Sequence, residues 1–113
     1  MNVIHVDNSK FFRKVMKIFL SELGVHSESF DKGEEVLDVI GSRKVSCLIT
    51  GLELVDMSGE ELIRQLLFAA HQMTIIAVTG SEDDERALRL ADLGVKATIQ
   101  KGSDWKEKLR EYF

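Results

Sequence analysis

Among its 113 residues the chain has no proline, one cysteine, one tryptophan and no long apolar run. Without proline there is no X–Pro bond, so any cis peptide would carry the ~2.5–4 kcal/mol of a non-proline one. Cys47 is the only cysteine and lies in an apolar stretch, so a disulfide framework or a thiolate metal site within one chain is excluded and a reducing compartment is expected. No apolar run is long enough to cross a bilayer, and the opening "MNVIHVDN" has no basic stretch followed by a long apolar one. A soluble, cytoplasmic protein is expected. Charge of one sign is scarce too: 15 Lys and Arg against 19 Asp and Glu leave −4, without a long block of either. Nucleic acid and anionic membrane are therefore not expected partners. Neither G-x-x-x-x-G-K-[ST] nor G-x-G-x-x-G occurs, so the usual glycine cradle for nucleotide phosphates is missing.

What is present is a regular alternation. Short β-like runs, "NVIHV", "VHSESF", "VSCLIT", "TIIAVT" and "KATIQ", begin at Asn2, Val25, Val45, Thr74 and Lys96 and are separated by helical patterns. With 44% hydrophobic residues and no linker or repeat, residues 1–113 read as one α/β domain. Alternation of this kind predicts a five-stranded parallel sheet with five helices on both faces, the runs from Cys47 and Thr74 being central strands. Ser58-x-x-Glu61 and Ser81-x-x-Asp84 suit helix starts, Gly24 and Gly94 helix stops. The acids from Glu82 to Glu85 suit a helix N-terminus.

Ligands gather beyond the carboxyl ends of strands in such sheets. Those positions hold Asp7 and Asn8, then Gly51, Thr79 and Lys101. Each has a plainer reading: Asp7 or Asn8 also fits a cap for the helix near Ser9, Thr79 a β-branched strand residue, and Lys101 a solvated end.

Four segments together resemble the receiver domains of two-component response regulators, including the chemotaxis regulators, over essentially the whole chain. "VIHVDN" is similar to a strand-one motif ending in an acidic pair. "LITGLELVDMSGEEL" resembles the strand-three segment whose glycine, here Gly59, lies eight residues beyond the phosphate-accepting aspartate. "IIAVTG" resembles the segment with the switch Thr or Ser, here Thr79, and "LADLGVKATIQKG" the end of the fourth helix and the fifth strand, with its lysine at Lys101. The resemblance implies a flavodoxin-like doubly wound sheet of order 2-1-3-4-5.

It also implies departures. Gly51 stands where the family has its nucleophile, and Asn8 where it has a second Mg²⁺-binding acid; in-line attack on phosphorus needs an oxygen, and Mg²⁺ prefers charged ones. The family pocket sums to −2, whereas Asp7 and Lys101 sum to zero. At ~4 Å and an effective dielectric of ~20 a unit charge contributes ~4 kcal/mol, so each missing carboxylate removes roughly twice that from a divalent ion before hydration offsets it. Thr98 replaces the aromatic that swings inward in relatives, while Val55 and Gly102 replace prolines, so no cis bond is expected after Lys101. Glu53 could border the pocket as a substitute acid or be a solvated loop residue, and Asp56 reads as solvated or turn-forming.

The expectation is a degenerate receiver, not an enzyme, with no cofactor and at most a weak Mg²⁺ site at Asp7 and Asn8. It would act by contact with a histidine kinase, a phosphotransfer protein, another receiver or a fused output domain, and the fourth helix, fifth strand and fifth helix offer a homodimer surface. Two alternatives are an ordinary receiver carrying an engineered change at Gly51, and a flavodoxin-like small-molecule binder. Interface candidates are Leu90, Phe68 and the basic stripe Lys10, Arg13, Lys14 and Lys17 opposite Phe12, Met16, Phe19 and Leu23. His5, His26 and His71 fall at unrelated spacings that do not suit a metal, His5 reading as a hydrogen-bonded core residue and Cys47 as a small core hydrophobe. Trp105, Leu109, Tyr112 and Phe113 read as a core-facing stripe.

Overall fold

Runs rich in Val and Ile favour a pleated, buried surface, and each expected run forms a strand. The computed structural model describes residues 2–68 and 72–113; His71 lies outside them. The strands are β1 (Val3–Val6), β2 (Ser27–Phe30), β3 (Cys47–Thr50), β4 (Thr74–Thr79) and β5 (Ala97–Gln100). The helices are α1 (Lys10–Glu22), α2 (Gly33–Ser42), α3 (Gly59–Phe68), α4 (Asp84–Asp92) and α5 (Trp105–Arg110). All strand pairs are parallel, in the order β2-β1-β3-β4-β5.

Strand side chains alternate between faces, and the core divides accordingly. Ile4, Val6, Leu48, Ile75 and Ala77 pack with α2, α3 and α4 through Val36, Ile40, Leu62, Ile63, Leu66 and Leu90. Val3, Cys47, Ile49, Ile76, Val78 and Ile99 pack with α1 and α5 through Phe12, Met16, Phe19, Leu20 and Leu109. Trp105, Tyr112 and Phe113 lie against this second layer. Burial pushes the Cys47 thiol up to about 12, leaving a protonated core residue.

Helix ends follow local chemistry with two corrections. Ser9 Oγ accepts the Phe12 N–H at 3.1 Å and Ser58 Oγ the Glu61 N–H at 3.1 Å, while Gly24 and Gly94 take φ of 76° and 99° where α1 and α4 stop. Asp83, rather than Ser81, caps α4 by accepting from the Arg86 N–H at 3.0 Å. Asp56 is not simply a solvated loop acid: although exposed, its carboxylate accepts the N–H groups of Gly33 (2.7 Å) and Glu34 (3.0 Å) at the start of α2. Lys32, at the N-cap of α2, provides no side-chain bond of its own, so this cap comes from the loop after β3.

Leu90 is corrected as an interface candidate. It is 0% exposed, whereas Leu88 is 67% exposed. Arg86 lies on the inner side of α4 with its charged end reaching the rim of the sheet, and Leu90 one turn later enters the core. Phe68 is 95% exposed at the end of α3. Among the described residues no helix is long and apolar enough to cross a membrane.

Candidate functional site

The register sets the site. Val6 lies opposite Thr50 and Thr79 opposite Gln100, so the next residues, Asp7, Gly51 and Lys101, emerge together at the same edge of the sheet. The Gly51 N–H donates to the Val6 carbonyl at 2.8 Å and the Lys101 N–H to the Thr79 carbonyl at 2.7 Å, extending the ladder into the loops. A cleft of about 320 Å³ opens there, lined by Asp7, Asn8, Gly51, Glu53, Thr79 and Lys101 together with Ser81 and Arg86.

Asp7 is buried, and both its oxygens are engaged. Oδ1 accepts the Ser9 N–H at 2.8 Å, and Oδ2 lies 2.9 Å from Lys101 Nζ. Arg13 donates to the Asp7 carbonyl at 2.6 Å. Lys101 Nζ also stands 4.1 Å from the centre of the Phe12 ring, a cation–π contact that keeps the ammonium on the α1 side of the cleft. Asn8 is exposed. Glu53 lines the rim and is exposed, while the carboxylate paired with Lys101 is that of Asp7.

Gly51 is buried beside this pair. A Cβ there would stand 2.9 Å from Asp7 Oδ2 and 3.2 Å from its Cγ. The Asp7 carboxylate thus encroaches on the space a side chain at this position would need. Gly59, at the start of α3, donates its N–H to the Leu52 carbonyl at 2.9 Å, and a Cβ would overlap the Gly51 carbonyl oxygen. Backbone approaches this close admit only glycine.

Thr79 turns its hydroxyl toward its own loop, accepting the Ser81 N–H at 3.2 Å. Thr98 is half-buried and borders a second cavity of about 100 Å³ with Thr79, Ala87 and Gln100, beneath the start of α4.

Two features escaped the sequence reading. Arg86 reaches the cleft from α4, where its Nε donates to Glu60 Oε1 at 2.9 Å and its Nη2 to the Leu52 carbonyl at 3.4 Å. Glu60 also approaches Arg89 at 3.5 Å and Arg64 at 3.8 Å, so one carboxylate on α3 joins α4 to the cleft wall. The spacing of Arg86, Leu90 and Leu93 was the available signal, since residues four and three apart share a helix face. The second is His5. It is buried against the edge of Phe12, as a core residue should be, but neither ring nitrogen has a hydrogen-bond partner among the described residues. The expected hydrogen bond is therefore absent there. Burial lowers its pKa to about 4 despite the opposing pull of the Asp7 charge, so the ring stays neutral at ordinary pH. Among the described residues no three His, Cys, Asp or Glu groups come together as metal ligands.

This chain is similar to a response regulator receiver protein from Pseudomonas putida, with 29% identity and a TM-score of 0.84 over 96% of this chain and 92% of that one. The chemotaxis response regulator CheY4 of Vibrio cholerae superposes with a TM-score of 0.87 at 18% identity, over 98% and 96% of the two chains, a likeness of fold. The autoinducer 1 sensor kinase/phosphatase LuxN of Vibrio campbellii is 24% identical over 99 residues, which cover 88% of this chain but only 12% of that much longer protein. The model of the response regulator receiver domain matches residues 3–112, and the chain belongs to that family of two-component signalling domains.

Proposed function

We propose that this domain is a degenerate receiver that signals by protein contact without phosphorylation of its own cleft. The observation that carries the reading is the pairing at Gly51: the position offers no attacking oxygen, and the neighbouring Asp7 carboxylate leans into its side-chain space while bound to Lys101. A receiver's Mg²⁺ does not fit this donor set. Asp7 already accepts from Ser9 and is ion-paired with Lys101, Asn8 is a neutral amide, and the exposed Glu53 is the other carboxylate on the cleft wall. A divalent ion would have to displace the Lys101 ammonium from Asp7 and gather its remaining ligands from neutral groups and water, against its preference for charged oxygens.

Its partners are a histidine kinase, a phosphotransfer protein, another receiver or an output domain on the same polypeptide. The likeness to a segment of a sensor kinase/phosphatase supports a place beside such a kinase. The cytoplasm is the compartment in which those partners work.

The test is a Mg²⁺ titration followed by NMR, with and without beryllofluoride, alongside intact mass after exposure to small phosphodonors. The expected result is no saturable shift of the Asp7, Gly51 or Lys101 amides at millimolar ion and no phosphoryl gain. Stoichiometric ion binding or covalent labelling overturns the proposal. Prompt labelling of Gly51→Asp would favour an ordinary receiver with an inactivating change, and shifts with nucleotides alone would favour a small-molecule binder.

A further inference from the structure

Two helices, on opposite faces of the sheet, carry exposed apolar residues inside charge of opposite sign. On α1, Phe11 is 77% and Ile18 56% exposed. They lie two turns apart on one side of the helix, with Lys14 between them, Lys10 and Lys17 along the adjoining edge and Glu22 one turn after Ile18, all exposed, so the patch is basic on balance. On α4 the exposed Leu88 has Asp84 and Glu85 one turn before it and Asp92 one turn after, all exposed, while its exposed neighbour Arg89 leans toward Glu60 at 3.5 Å, so acids outnumber bases around it.

We infer that the α1 face of one copy docks on the α4 face of a second copy. Phe11 and Ile18 would straddle Leu88, with the Lys14 stem lying over it, and Lys10 and Lys17 on the adjoining edge would face Asp84, Glu85 and Asp92. The apolar contact supplies the attraction, while the surrounding charges set orientation and raise the rate of encounter. Because the two patches are different surfaces, the contact is heterologous: each docked pair retains one unused α1 patch and one unused α4 patch. Growth is head to tail, into rings if the rotation closes and into open chains if it does not. This differs from a symmetric dimer, in which a single surface meets itself. It also stands apart from the reading of the cleft, since neither patch includes Asp7, Gly51 or Lys101.

Patches of this size give weak association, so the experiment is sedimentation of the purified chain from micromolar to millimolar concentration at low salt. Average mass should rise steadily with concentration. It should fall back several-fold in association constant when added salt shortens the Debye length from about 20 Å toward 6 Å. Ile18→Lys removes the α1 patch and Leu88→Lys the α4 patch; both sites are exposed, and circular dichroism checks that each variant folds. Each variant alone should remain monomeric. An equimolar mixture should form a capped 1:1 complex, because the intact α1 patch of Leu88→Lys meets the intact α4 patch of Ile18→Lys. A parent chain that stays monomeric at millimolar concentration overturns the inference. So does a mixture that forms no complex, or a single variant that associates as the parent does.

Discussion

Adding one methyl group at Gly51 should expose how the cleft is held. The backbone there is not in the left-handed region, so Gly51→Ala on its own terms stabilises by about 0.4–1 kcal/mol through the less flexible unfolded chain. The native state opposes this. The new Cβ would sit 2.9 Å from Asp7 Oδ2 and 3.2 Å from Cγ, and the carboxylate cannot swing away freely because Ser9 holds it at 2.8 Å and Lys101 at 2.9 Å. Overpacking of this kind costs about 1–3 kcal/mol, leaving Gly51→Ala about 0.5–2 kcal/mol less stable than the parent. The sign should reverse in an Asp7→Ala background, where the obstructing carboxylate is gone and the same methyl group is neutral or stabilising. Urea unfolding of all four proteins, followed by Trp105 fluorescence with unchanged m values, gives the coupling energy directly. Equal stabilisation by Gly51→Ala in both backgrounds would refute the claim that Asp7 guards this position.

Three further outcomes follow from the packing. His5 has a native pKa of about 4 against the ordinary 6.5, so the unfolded chain takes up its proton first on acidification; its contribution is intact above pH 6.5 and declines below it, by about 3 kcal/mol at pH 4. His5→Phe should flatten the pH dependence of the unfolding free energy over that interval, and an unchanged slope would contradict the neutral, buried ring. Leu90→Ala should cost about 2–5 kcal/mol while Leu88→Ala stays within about 0.5 kcal/mol of the parent, and equal denaturation midpoints would mean that α4 is rotated from the phase described. Gly59→Ala forces a Cβ onto the Gly51 carbonyl and should cost at least about 3 kcal/mol or abolish soluble expression; a melting temperature near that of the parent would refute the close approach.

The carboxyl ends of the strands and the cleft positions Asp7, Asn8, Gly51, Thr79 and Lys101 were legible because the central buried strands write apolar runs, and because the residues directly after such runs stand out. The phase of α4 was not. That helix has one fully buried residue, Leu90, among many charges, so its sequence carries a weak inward signal. Asp56 capping α2 links residues 22 and 23 positions apart, beyond the reach of any local motif. Ser81 matched the capping pattern, but Asp83 lies directly before the helix and accepts the Arg86 N–H, while the Ser81 hydroxyl sits beside Thr79. The missing partner for His5 could not be read from a strand pattern at all, because it depends on which side chains of α1 and α5 cover the ring.

The borrowed cap on α2 ties distant parts of the chain into one mechanical unit. Val55 donates to the Asp31 carbonyl at 3.0 Å while Asp56 grips the first turn of the neighbouring helix. A tug on the segment leaving Gly51 is thereby delivered to a helix on the far flank of the sheet, as fraying or tightening of its leading turn. Amide exchange at Gly33 and Glu34 would act as a remote gauge of events at the cleft.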